Sequence, residues 1–316
     1  MNANKLIDQF GSKPISQELI ERIKKVCNVD DVHPFIKRGI VCSHRDLDEA
    51  LDNIEHGRGV YLYTGRGPST NSLHFGHLIP FMITKYLQDL FKCPLFIQIT
   101  DDEKFLIKGE YTLTKYREMA ENNISDIALF DFDPKKTFIF VNTDIMSGKS
   151  KLKNNMYTNA VKIMKKLTYN QIKSSFGLEG SDNIGKSFIP ILQMTPALSS
   201  TFEMVRGSRC IIPCGIDQDP YFRLVRDIAE KLGEYKPSVI HVGSLPSLRG
   251  VSKKMSSTDP DSVIFLHDSK KVIKKKINRA FSGGRETVPL HRKLGGIPEV
   301  DIPFMYMTFF MDDDEK

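Results

Sequence analysis

From Val60 onward the chain alternates short apolar runs with longer stretches of helical spacing. The runs YLYT, CPLFIQIT and KTFIFVN read as buried strands, and HFGHLIPFMITKYLQDLF and TKYREMAENNISDIALF between them carry the helical period. The alternation continues through a helical stretch from about Lys151 to Lys173, another from about Lys186 to Leu198, the run RCIIPCG, the helix-like DPYFRLVRDIAEKLG and the short strand SVIHV. Such a series predicts a Rossmann-like α/β fold, a parallel sheet with helices on both faces. Ligands of such sheets sit beyond the carboxyl ends of the strands. The turns YTGRGPS, QITDDEK and PCGIDQD all occupy that position, so three polar turns converge on one cleft.

The flanks read differently. Up to about Glu55 the pattern is that of a helical appendage with no recognisable chemistry, Ser16 and Glu18 leading into apolar Leu19, Ile20 and Ile23. After Leu245 the strand signal fades into a loop rich in Gly, Ser and Lys. Beyond it come the helix-like HDSKKVIKKKINRAF, the turn SGGRE, HRKLGGIP and the apolar run PFMYMTFFMDDDEK. The expected organisation is an N-terminal helical appendage at 1–58, a nucleotide and amino-acid site at 59–262 and a partial helical domain at 263–316. The last helix has nothing after it to pack against, which reads as a truncated second domain.

Composition narrows the choice. The 316 residues carry 45 basic and 39 acidic side chains, a net charge of +6 that permits a polyanionic partner without demanding one. Much of the positive charge is concentrated between Arg249 and Arg285. No apolar stretch reaches the length needed to span a bilayer. The five cysteines form no CxxC pair and have no histidine cluster near them, so neither a metal site nor a disulfide framework is expected. The opening MNANKLIDQFGS lacks the features of a signal or transit peptide, and a reducing cytoplasmic setting follows as the expectation. Trp is absent, leaving twenty Phe and ten Tyr to supply the aromatic packing.

Two constellations carry chemistry. In TGRGPSTNSLHFGHL, Gly65, Gly67 and Pro68 shape a turn that feeds a helix beginning near His74. Backbone N–H groups and the positive dipole end at a helix start favour an anion, and Gly76 would let a flat nucleotide approach the backbone. His74 and His77, three apart, share one helix face and can both donate to phosphate oxygens. The turn is neither GxGxxG nor a Walker A loop, which argues against a dehydrogenase or P-loop ATPase. The second constellation, Lys254-Met255-Ser256-Ser257-Thr258, sits on a loop between Gly250 and Pro260. It offers an ammonium and hydroxyls suited to grip a polyphosphate as charge develops during displacement.

His74-Phe75-Gly76-His77 and Lys254-Met255-Ser256-Ser257-Thr258 resemble the two nucleotide-binding signatures of class I aminoacyl-tRNA synthetases. YLYTGRGPS, QITDDEKFL, PCGIDQDPYFR and KMSSTDP resemble, more specifically, the eukaryotic and archaeal tryptophanyl-tRNA synthetases, from about Phe10 to the end of the chain. The stronger form of the second signature ends Lys-Ser, whereas Ser257 and Thr258 stand here, so one motif lysine is left to carry the charge stabilisation.

The resemblance implies ATP with Mg2+ and L-tryptophan as ligands, tRNA(Trp) as partner, a symmetric homodimer, and no membrane. His74, His77 and Lys254 would act on the phosphates, with Arg66, Gly76, Lys253, Met255, Ser256 and Ser257 completing the nucleotide site. Tyr63, Gln98, Glu103, Gln193 and Gln218 would surround tryptophan, Tyr63 and Gln98 meeting the indole N–H, Glu103 the ammonium, and Phe222 packing nearby. No protein ligand for magnesium is nominated, and the acidic residues of these turns read as caps and orienting partners. Lys270, Lys274, Arg279, Arg285 and Glu286 would meet tRNA, in a domain whose later helices are missing. Adenylate formation is expected to survive that loss, with tRNA charging the step placed in doubt. A tyrosyl-type enzyme and a noncatalytic RNA-binding homolog are the alternatives.

Overall fold

The computed structural model describes residues 3–253, 255, 259–311 and 313. They fall into two compact units, Met1–Asn71 with Pro80–Gly243 and Ser72–Ile79 with Ser244–Lys316.

The five apolar runs become the parallel heart of a seven-stranded sheet in the larger unit. Its strands are β1 (Lys13–Pro14), β2 (Val41–Arg45), β3 (Val60–Arg66), β4 (Leu95–Ile99), β5 (Thr137–Val141), β6 (Arg209–Gly215) and β7 (Ser238–Val242), in the order β1-β2-β7-β6-β3-β4-β5. The pairs among β3 to β7 are parallel, and β1 and β2 add antiparallel at the β7 edge. Burial on both faces explains why these strands read as unbroken apolar runs, with β4 and β7 buried at every position. Strand order reverses between β3 and β6, the point at which a parallel sheet opens a crevice at its carboxyl ends. Gly65 pairs with Gln98 across β3 and β4, so both strand ends finish level at that crevice.

Phenylalanine and tyrosine fill the core. Phe96 stacks on Phe202 at 4.0 Å with the rings 5° from parallel, and on Phe138 at 5.3 Å, while Tyr61 meets it edge-on at 5.8 Å. Each such ring buried contributes roughly 1.5–3 kcal/mol.

The expected helix from Lys151 to Lys173 is two helices, Met156–Lys166 and Tyr169–Phe176. The break falls at Leu167, in extended backbone, and Thr168 restarts the helix with a capping box. Its hydroxyl accepts from the Gln171 N–H and the Gln171 side chain accepts from the Thr168 N–H. The N-terminal stretch contributes strands as well as helices, because β2 buries Ser43 and Arg45 against polar partners far along the chain, His241 and Asp219.

In the smaller unit the turn before helix Phe75–Phe91 is tied to residues 264–266, Phe75 N–H donating to the Ile264 carbonyl and Leu266 N–H to the Leu73 carbonyl, both at 2.9 Å. Helices Lys270–Asn278, Val288–Leu294 and Ile302–Phe310 follow, capped by Ser269, Thr287 and Asp301. The Tyr306 hydroxyl donates to the Pro246 carbonyl at 3.0 Å and fixes the last of them. No described helix is long and apolar enough to cross a membrane.

Candidate active site

In the larger unit the carboxyl ends of β3, β4 and β6 bring together most of the residues expected around an amino acid. Tyr63 and Gln98 are fully buried, and the Tyr63 hydroxyl points at Gln98 Oε1 at 2.5 Å and the Gln193 carbonyl at 2.8 Å. Burial, then the nearby Cys210 and Glu103, raises the Tyr63 phenol well above its ordinary range, so it stays neutral. Gln193 Nε2 donates to Gln218 Oε1 at 3.0 Å, and Gln218 Nε2 donates to Asp217 at 2.8 Å. Phe222 meets the Tyr63 ring edge-on at 6.2 Å. Glu103 lies in the first turn of helix Asp101–Ile107, accepting from the Thr100 hydroxyl at 2.5 Å and from Lys104 at 3.0 Å. A Cβ on Gly67 would come within 2.7 Å of Lys104 Cε and 2.9 Å of Glu103 Oε2, so any side chain at this turn would displace the Lys104–Glu103 pair.

Two polar atoms here are buried with no hydrogen-bond partner among the described residues, Gln193 Oε1 and Arg66 Nη2. Such atoms are costly unless something else satisfies them. Arg66 closes β3 with its Nε donating to Asn123 at 3.1 Å, and burial lowers its guanidinium to about 10, still charged at neutral pH. A half-buried cation with an open donor suits an anionic phosphate.

Asp101, Asp102 and Asp219 hold the architecture. Asp101 accepts from the Thr143 hydroxyl and N–H, capping helix Asn142–Met146. Among the described residues no group of three metal-ligating side chains occurs. Sequence reasoning missed three contributors. Asn142 bridges Gln98 and Asp102, Asn123 orients Arg66, and Tyr221 packs on Phe176 at 4.4 Å with its phenol raised to about 12 by burial, then by Glu103 and Asp217. Asn142 alone left a signal, since it directly follows a parallel strand.

In the smaller unit His74 and His77 stack at 3.5 Å between centroids. His74 N–H donates to His77 Nδ1 at 3.2 Å, which caps the start of helix Phe75–Phe91. With Nδ1 accepting, the neutral His77 ring carries its hydrogen on Nε2, the form that donates to an oxyanion. A Cβ on Gly76 would meet Met255 Sδ at 2.6 Å and the His74 ring at 3.2 Å, so the space over this glycine is a cradle a side chain would fill. Lys253 is exposed, and Lys254, Ser256 and Ser257 lie outside the described residues. Lys270, Lys274, Arg279 and Glu286 are exposed, while Arg285 is half-buried with its Nε donating to the Gly295 carbonyl at 3.1 Å. The neighbouring Lys276 is instead buried on Asp268 at 2.6 Å.

The profile of the class I tRNA synthetases for tryptophan and tyrosine (W and Y) matches residues 55–314, and the chain belongs to this family. Within it, the human cytoplasmic tryptophan–tRNA ligase is 49% identical over 318 residues, covering 99% of this chain and 66% of the human protein. The tryptophan–tRNA ligase of Saccharolobus solfataricus is 48% identical over 314 residues, covering 99% of this chain and 78% of its own. The crystal structure of the Encephalitozoon cuniculi tryptophanyl-tRNA synthetase bound to tryptophan superposes with a TM-score of 0.89 at 44% identity, covering 100% of this chain and 84% of that one.

Proposed function

We propose that this chain condenses L-tryptophan with ATP to tryptophanyl adenylate and transfers the tryptophanyl group to tRNA(Trp), releasing pyrophosphate and AMP. The observation that carries the reading is the polar cluster of Tyr63, Gln98, Gln193 and Gln218 at the strand-order reversal, with Gln193 Oε1 lacking a partner among the described residues. These are neutral groups that can accept from an indole N–H and an ammonium. A phenol-specific site would instead need an acidic partner for the hydroxyl, which Gln98 does not supply.

In the first step the tryptophan carboxylate attacks the α-phosphorus in line and pyrophosphate leaves, so no protein nucleophile is needed. Glu103 would take the ammonium, Tyr63 and Gln98 the indole N–H, with Phe222 packing nearby and Arg66 meeting phosphate. His74, His77 and Gly76 with Met255 beside it would receive the nucleotide, and Lys253, Lys254, Ser256 and Ser257 the β and γ phosphates. All of these roles concern position and charge stabilisation. Magnesium would enter with ATP on phosphate and water oxygens, balancing charge on the leaving pyrophosphate.

In the second step a ribose hydroxyl of the terminal adenosine takes the acyl group. Residues 263–316 are read as belonging to a helical anticodon-binding region after the catalytic domain at 59–262. There Lys270, Lys274, Arg279 and Arg285 would meet phosphates and Glu286 a base amino group. Cytoplasmic location and a symmetric homodimer are carried over from the family.

Exchange of labelled pyrophosphate into ATP, run in parallel with tryptophan and tyrosine, tests the reading. Tryptophan-dependent exchange is expected. Exchange with tyrosine alone would replace it with the tyrosyl activity, and exchange with neither would favour an RNA-binding homolog.

A further inference from the structure

One chain of hydrogen bonds runs beneath the amino-acid residues and ends on a carboxylate. Asn142 Nδ2 donates to Asp102 Oδ1 at 2.9 Å, Gln98 Nε2 donates to Asn142 Oδ1 at 2.8 Å, and the Tyr63 hydroxyl donates to Gln98 Oε1 at 2.5 Å. Tyr63, Gln98 and Asn142 are each at most 2% exposed, so water does not offer them alternatives.

The order of donors and acceptors along this chain is dictated from its end. An ionised carboxylate only accepts, so Asn142 must turn its NH2 toward Asp102 and its oxygen toward Gln98. Gln98 must then turn its own NH2 inward, where the Leu192 carbonyl at 3.2 Å makes the same demand. Its oxygen is left facing Tyr63. The phenol has one hydrogen and two acceptors in front of it, Gln98 Oε1 and the Gln193 carbonyl, so that hydrogen is committed inward. What Tyr63 and Gln98 still offer are lone pairs.

We infer that Asp102 is a specificity-determining positioning residue, which acts through Asn142 to fix Tyr63 and Gln98 as acceptors and so makes the site demand a donor from its ligand. The inference rests on the tryptophan reading above. Indole N–H is a donor with no acceptor capacity, and the benzothiophene isostere, with sulfur in place of N–H, has no donor at all. Against the isostere the buried lone pairs stay unpaired, which costs roughly 1–3 kcal/mol. Asp102 is suited to the end of the chain. Burial, reinforced by the neighbouring Asp101 and offset in part by the bond from Asn142, raises it to about 6, so it remains a carboxylate at pH 8. The Glu103 N–H also donates to it at 2.9 Å, which holds the carboxylate in place.

Asp102→Asn tests this, because an amide at the end of the chain can donate or accept and releases Asn142 to flip. Pyrophosphate exchange is measured for tryptophan and for 3-(benzothiophen-3-yl)alanine in wild type, Asp102→Asn and Asn142→Ala. The ratio of kcat/KM for the two substrates is taken within each preparation, so the fraction of folded protein cancels. The wild-type preference for tryptophan should fall by about tenfold in both variants, within the range set by one buried unpaired acceptor. The loss should lie more in the KM for tryptophan than in kcat. A wild-type preference retained in both variants overturns the role of Asp102 and leaves the proposed function standing. Wild type that exchanges with tryptophan and with the isostere equally also overturns it, and wild type that does not exchange with tryptophan removes the proposed function and this inference together.

Discussion

Arg45 grips Asp219 with two sides of its guanidinium, Nε to Oδ1 at 2.7 Å and Nη2 to Oδ2 at 3.1 Å, and the carboxylate is fully buried. His241 Nε2 lies 2.9 Å from the same Oδ1. Burial alone would raise Asp219, but the bonds from His241 and Arg45 win and hold it down to about 2. Asp219 opens helix Asp219–Ala229, so this clamp places Gln218 just before it and Phe222 within its first turn.

Replacing Arg45 with Met should therefore cost roughly 3–5 kcal/mol, because a buried carboxylate loses its main counter-charge. Urea unfolding of wild type and variant reads this directly. A loss below about 1 kcal/mol, the range of an exposed pair, would show that the clamp contributes little.

Acid should destabilise the protein through His44. Its Nδ1 accepts from the Leu47 N–H at 3.1 Å at the start of helix Leu47–Glu55, a bond only the unprotonated nitrogen can make. Burial lowers its pKa to about 4, with Asp48 and Asp46 opposing and Lys13 and His241 assisting. The unfolded chain takes up the proton near 6.5 and the folded chain only near 4. Stability from this group is thus full above about 6.5 and is lost as pH falls toward 4, by on the order of 3 kcal/mol in all. His44→Asn keeps an acceptor without a titration. The gap between variant and wild type, measured in urea at pH 7.5 and 4.5, should shift in the variant's favour at the lower pH, and a constant gap would rule His44 out.

Arg66 predicts a separation of stability from activity. Its Nη2 is buried without a partner among the described residues, so Arg66→Met should cost no more than the one bond to Asn123, about 1–3 kcal/mol. The KM for ATP should rise at least about tenfold, the loss of one charge-assisted contact of 1.4 kcal/mol or more. A variant with normal ATP dependence would make Arg66 a purely structural cation.

Gly76→Ala tests the cradle over the helix start. Met255 Sδ is the far end of a flexible side chain and can swing away, so folding should change by less than about 1 kcal/mol. Adenylation should nonetheless lose about tenfold or more in kcat/KM for ATP if a nucleotide lies on that floor. Unchanged kinetics would mean it does not.

For Lys254→Ala the adenylation rate should fall by about a hundredfold, the scale of one lost charge-stabilising donor, with much less change in tryptophan affinity. Single-turnover adenylate formation and equilibrium binding of tryptophan separate the two. Equal losses in both would assign Lys254 to ground-state binding.

What the sequence revealed and what it hid follow one physical line. The parallel strands were legible because burial on both faces makes them apolar throughout, as in LFIQI and RCIIPCG. β2, VCSHR, was not, since Ser43 and Arg45 are buried by partners such as His241 and Asp219 that lie nearly two hundred positions away. The helix break at Leu167 was signalled by Thr168 and Gln171 three apart, but the apolar spacing on either side masked it. Tyr63, Gln98 and Gln218 were legible from the strand ends that carry them, whereas Asn142 and Asp102 matter through the hydrogen-bond sense they impose, which no spacing encodes.

The antiparallel strand at the β7 edge bears on how the protein comes apart. Peeling β2 away would remove Arg45 from Asp219 and Ser43 from His241, leaving the buried Asp219–His241 pair without its two-pronged counter-charge and its hydroxyl partner. β2 therefore cannot fray cheaply, as segments near a chain end usually do. Backbone amides in β2 should exchange with solvent deuterium only when the whole sheet opens, so this edge strand and the central strands melt as one cooperative unit.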